Sequence, residues 1–209
     1  MAMRTHELHP SLVHVPLVLL PATAAVDLLA ALAPRDRRLD RLARSLWWAT
    51  AASGLVTGLA GMAASQEISL EGEHARDMMF IHGAGNVGLV LAALGVATWR
   101  SRHRATLTSA AAGLAASGAA VYTAYLGGEL VYTHGAGVVT LGRAAAEAPA
   151  LFSRAAPGRL AGDAVRGLGW LARRAAQALT GRRRVERSAL GPIGDVGGAA
   201  TTTAEATRH

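Results

Sequence analysis

The chain contains no cysteine and no lysine, only two phenylalanines, and charged residues make up just 17% of its 209 positions. The missing thiol excludes disulfides, iron–sulfur ligation, c-type haem attachment and thiolate zinc sites. Any metal or cofactor must rely on histidine, carboxylate, methionine, tyrosine or backbone groups. The 21 basic residues are all arginine. With so much Ala and Gly, this reads as the codon bias of a GC-rich bacterial genome. Soluble domains carry about 25% charged residues, so the shortage of charge points to a membrane class. The formal net charge of +7 resides in loop and tail arginines. Anionic lipid headgroups are a simpler partner for these than nucleic acid.

Charge is scarcest in four blocks. A hydrocarbon core of about 30 Å needs about 20 mostly apolar residues to cross it. Stretches at about 11–33, 46–65, 78–99 and 107–131 meet that length. They predict an all-α integral membrane four-helix bundle over residues 1–140, followed by an arginine-rich tail over 141–209. Pro16 and Pro21 are expected to kink the first helix. Gly54, Gly58 and Gly61 are expected to let helix backbones approach closely. A cleaved signal peptide fits the first block less well than a retained helix, because Asp27 and the run to Ala33 follow it.

The loops predict the orientation. Arg35, Arg37, Arg38, Arg41 and Arg44 follow the first span, and Arg100, Arg102 and Arg104 follow the third. Near the spans on the other face lie only Arg4, Arg76 and Arg143. The positive-inside rule then places the arginine loops in the cytoplasm and both termini outside a bacterial plasma membrane. Trp47, Trp48 and Trp99 sit at the same boundary, as an aromatic belt would. In the tail, Leu160, Val165, Leu168, Leu171, Ala175 and Leu179 recur at helical spacing with arginines mostly opposite. They predict an amphipathic helix over about 159–184, suited to the headgroup plane or else a loose extension without a role. The Gly/Thr/Ala-rich end beyond Ser188 is expected to be disordered.

Threading the spans brings His9, His14, His82 and His134 to one level of the membrane. His82 lies four residues into its span, about 6 Å below that face at 1.5 Å per residue. Ionisable residues at membrane depth are costly, which makes them functional candidates. Glycines beside them, Gly127 and Gly128 among others, leave room for a flat ring. Asn86, one turn from His82, could orient an imidazole, and Tyr132 adds a hydroxyl. Facing imidazoles across a helical bundle are how b-type haem is commonly held. The axial pair expected is His82 with His14 or His134. A bare copper or zinc ion on the same histidines is the alternative. The plainest reading is a scaffold whose histidines only bond loops and headgroups. Asp27, deep in the first span, is expected to pair with an arginine of the following loop or to bond Thr57 or Ser109.

Three motifs resemble the domain-of-unknown-function 2231 family of small bacterial membrane proteins. The first is LHPSLVHVPLVLLPATAAVDLL, from Leu8 to Leu29, where the family has His-Pro, Val-His-Phe-Pro and an Asp. The second is His82 with Asn86. The third is SGAAVYTAYLGGELVYTHGAGV, from Ser117 to Val138, matching Gly-Gly-x-Leu-Val-Tyr-x-His-Gly-x-Gly-Val. Val15 stands where the family usually has Phe. The resemblance covers about residues 6–140 and implies a four-span bundle. It further implies His9, His14, His82 and His134 as ligands, with Asn86, Gly127, Gly128 and Tyr132 shaping the site. Members joined to Rieske-type or cytochrome-c-type modules imply electron transfer at the outer face. A redox partner protein at that face and a homo- or hetero-oligomer are further expectations. No His-Glu-x-x-His motif, nucleophile elbow or phosphate-cradling loop is present. An electron-transfer or binding protein is therefore expected rather than an enzyme.

Overall fold

In the computed structural model, which describes residues 3–144 and 148–195, every regular element is helical. After a short turn at Thr5–Glu7, α1 (Leu8–Leu12) leads into α2 (His14–Leu32). Pro16 lacks the N–H that Leu12 would need, and the helix is interrupted one residue later, at Val13. Pro21 is accommodated inside α2 without a break, so only one of the two expected kinks is marked by an interruption. Asp36 caps α3 (Arg37–Ala64) by accepting the N–H groups of Arg38 and Leu39. Next come α4 (Gly72–Arg100) and α5 (Leu107–Tyr132), the latter started by a Thr106–Ser109 capping box. Gly135, with φ of 67°, reverses the chain after α5 at no steric cost.

Four interfaces, α2–α3, α3–α4, α4–α5 and α5–α2, close these helices into a ring. The ring is built with its polar groups inside. Thr23, Asp27, Thr50, Thr57, Arg100, Ser109 and Thr123 are buried. Val18, Leu32, Val56, Leu91, Leu114 and Val121 point outward and are exposed. Two stretches, Thr5–Leu32 and Gly72–Arg100, are long and apolar enough to cross a membrane. The other two long helices of the ring are diluted by Ala, Gly, Ser and Thr, whose small side chains serve helix contact more than hydropathy.

At the arginine-loop end, Arg100 is fully buried between two carboxylates. Its Nε donates to Asp27 at 2.8 Å and its Nη2 to Asp40 at 2.9 Å. Ser109 also donates to Asp27, and Arg44 to Asp40. The expected bond to Ser109 is present, but the arginine comes from the end of α4 instead of the loop after the first span. Thr57, the other expected partner, instead turns its backbone carbonyl to His9 Nδ1.

The described part of the tail packs on the ring. Helix α6 (Ala156–Leu179) packs on α3 and, less extensively, on α4. It ends five residues before the expected boundary, followed at Gly181 by a φ of 69°. At Gly167 a Cβ would stand 2.2 Å from the Met62 carbonyl oxygen, so only glycine permits this crossing. Arg174 is buried, bonded to Asp77 at 2.6 Å and stacked over Phe80. Ala189 is buried against the bundle, and Tyr122 donates to the Leu190 carbonyl. The order past Ser188 thus extends to Asp195, contrary to expectation, because the chain returns to fill a gap beside Leu126 and Leu130. Residues 196–209 of the expected disordered end lie outside the described residues.

Candidate functional site

A cavity of about 90 Å³ lies at the centre of the ring, lined from all four sides. Its upper wall carries His9, Thr57, His82, Asn86 and Thr123; below, Leu17, Leu20, Thr50, Leu89 and Ala93 make it apolar. From His82 to Ala93 is 11 residues of α4, about 16 Å at 1.5 Å per residue. The cavity is therefore long and narrow, with its two imidazoles at one end.

His9 and His82 come from α1 and α4, on opposite sides of this space, and their ring centroids are 6.3 Å apart with planes 84° to each other. Each ring is anchored in the same way. The Nδ1 of His9 lies 3.0 Å from the Thr57 carbonyl, and the Nδ1 of His82 lies 2.8 Å from that of Thr123. A carbonyl can only accept, so both imidazoles carry their proton on Nδ1. In the neutral ring that leaves Nε2 as the lone-pair nitrogen, which is the tautomer metal-binding histidines normally hold. Asn86 donates to the His82 carbonyl at 2.9 Å, stands 3.3 Å from His82 Nε2, and accepts from Thr123.

Glycines make room for both rings. A Cβ on Gly61 would lie 2.9 Å from His9 Nδ1, and one on Gly127 would lie 2.9 Å from His82 Cε1. Neither ring could rest against its neighbouring helix if these positions carried side chains.

The other expected ligands go elsewhere. His14 is exposed on the outside of α2. His134 pairs with His74 at a centroid distance of 5.4 Å, where His74 also meets Ser188 and Glu186. Tyr132 is 91% exposed, and Gly128 meets only Tyr132 at ordinary contact distance. So the four expected histidines resolve into one pair, His9 with His82, an outlier, His14, and His134, which pairs instead with a fifth, His74. Sequence reasoning missed His6, which is buried with Thr5 against Glu67, 3.9 Å from its carboxylate. Its position near the start of the chain gave no sign of burial. It also missed the part of Thr57 and Thr123 beside the histidines, where each offers its backbone carbonyl to an imidazole, a role that leaves no mark in the residue type. Thr123 adds a hydroxyl bond to Asn86.

A model of the domain-of-unknown-function 2231 family, described as a predicted membrane protein, matches residues 5–140. The chain belongs to this family. The match takes in the whole ring, the central cavity and both histidine pairs, and ends before the tail. No curated protein and no solved structure matches the chain.

For a titrating group outside the spans, Asp40 shows how the ring's far end is stabilised. Burial raises its pKa, but the bonds and charge of Arg100, the Ala105 N–H and Arg44 outweigh that and leave it below the ordinary carboxylate value.

Proposed function

We propose that this family member crosses the membrane four times and holds a haem b between His9 and His82, serving electron transfer or a redox complex. The observation that carries the reading is the paired anchoring of the two rings. Both present the Nε2 tautomer, from helices on opposite sides of one cavity, at 6.3 Å between centroids. His9 and His82 would hold the haem iron through their Nε2 nitrogens, one from each side of the cavity. A porphyrin is bulkier than the cavity, so its entry requires the flexible side chains of Leu17, Leu89 and Val90 to swing aside. The haem would supply one-electron chemistry at its iron.

A bare copper or zinc ion has less support. Such ions generally take three or four protein ligands. Among the described residues no three His, Asp or Glu side chains group to hold one. A porphyrin brings four nitrogens of its own and asks the protein for only two. Four spans are supported by the outward apolar and inward polar pattern of every helix in the ring. The arginine loops at one end favour a cytoplasmic location for that end and an outer location for the histidines.

Protein purified from a haem-replete host is expected to show a Soret band that sharpens and shifts on dithionite reduction. His9→Ala and His82→Ala should each abolish it, while His14→Ala and His134→Ala should keep it. Colourless wild-type protein would sink the haem reading, and stoichiometric copper or zinc in that colourless protein would favour the bare-ion site.

A further inference from the structure

Helix α6 divides lengthwise into three strips. One, with Asp163, Gly167, Leu171 and Arg174, is buried on the bundle. A second is apolar and uncovered: Val165 is 70% exposed, Leu168 41% and Leu179 88%. The third is a row of exposed arginines, Arg159, Arg166 and Arg173, one every seven residues. At about 100° of rotation per residue, the apolar strip and the arginine row flank the buried strip on opposite sides. The acidic residue of α6, Asp163, is buried and forms ion pairs with Arg159 and Arg166, so the exposed surface of the helix carries guanidinium and apolar groups and no exposed carboxylate.

The docking contacts show which way each flank faces. Arg174, in the middle of the buried strip, reaches Asp77 near the start of α4. Leu171, about 60° round towards the apolar flank, meets Gly83, six residues and about 9 Å further into the bundle. On the other flank, Arg159 reaches Glu67, beyond the end of α3. The apolar flank is therefore turned towards the middle of the bundle's height, and the arginine row towards its histidine-bearing end. Below the docking point α3 leaves Leu55, Val56 and Leu59 exposed, so the apolar flank continues an apolar wall.

From this we propose that α6 is an interfacial helix, lying along the membrane surface with Val165, Leu168 and Leu179 in the acyl chains and Arg166 and Arg173 on anionic headgroups. A helix flanked only by water would leave this apolar strip uncompensated, whereas a bilayer edge satisfies both flanks at once. The two arginines offer forked donors suited to phosphate. The proposal rests on the bundle crossing the membrane and is independent of any cofactor.

Because the chain has no cysteine, single labels can be placed at will on the full-length protein. It would be reconstituted in vesicles of phosphatidylcholine and phosphatidylglycerol. Spin labels at V165C and L168C should relax faster with oxygen than with an aqueous nickel chelate, and labels at R166C and R173C should do the reverse. A fluorophore at L168C should be quenched more by brominated phosphatidylglycerol than by brominated phosphatidylcholine. R166Q/R173Q should weaken that preference by roughly fivefold for each arginine removed. A V165C label more open to nickel than an R166C label overturns the proposal, as does equal quenching by the two lipids. A label at L91C tests the foundation: shielding from oxygen there overturns the spanning reading itself, whereas oxygen access at L91C with nickel access at V165C overturns α6 alone.

Discussion

His9 and His82 are fixed by carbonyls, by neighbouring glycines and by each other's rings, and Asn86 reaches His82 to orient it. Gly61 and Gly127 are therefore as important as the imidazoles. Gly61→Val should push the His9 ring off the Thr57 carbonyl, at about 1–3 kcal/mol of overpacking. A lowered thermal midpoint, with loss of the Soret band in protein that still inserts, would check this. Counting residues brought His9 and His82 to neighbouring depths, yet could not say which way each histidine points. It also set His134 beside them, where the structure pairs it with His74, eight residues along α4 from His82. His14 follows His9 by five residues, about 140° around a helix, so His9 facing the cavity sends His14 outside. The third helix was more legible, because His82 and Asn86 stand one turn apart and share a face.

At the scale of elements, the ring is pinned at one end by Arg100 and at the other by α6. Arg100→Leu should leave Asp27 and Asp40 buried without their cation, a loss of about 3–5 kcal/mol in denaturation of the solubilised protein. Replacing both carboxylates with amides alongside it should recover part of that loss. The pH dependence follows from Asp40. Its folded pKa lies below the unfolded one, so its stabilisation is fully present above the ordinary value, about 4, and fades as pH falls through the lower folded value. The thermal midpoint of Asp40→Asn should accordingly lose less between neutral pH and strong acid than that of the wild type. At the other end, Gly167→Ala should force α6 away from Met62, since backbone there cannot yield as a side chain could. Limited proteolysis should then release the tail while the ring stays intact. The apolar blocks located the four long helices and their C-terminal ends, but α3 and α4 begin nine and six residues before their blocks, because charged residues continue each helix beyond its apolar run. The docking of α6 was not, because an amphipathic pattern shows that one face is apolar and is silent about what covers it.

For the whole molecule, orientation is the property most open to direct measurement. A single cysteine at Gly72 should react with a membrane-impermeant maleimide in intact cells, and one at Arg102 only after permeabilisation. The opposite pattern would reverse the proposed topology without disturbing the cavity. The sequence by itself determined that the chain is helical, that it holds stretches apolar enough to cross a membrane and that histidines lie within or beside them. Those properties follow from composition and period, which are local along the chain. Only the tertiary structure decided that His9 rather than His14 meets His82, that Arg100 joins Asp27 to Asp40, and that the tail folds back. Each of these depends on the rotation of one helix against another, which is set by where glycines allow backbones to touch and where buried charges must find partners.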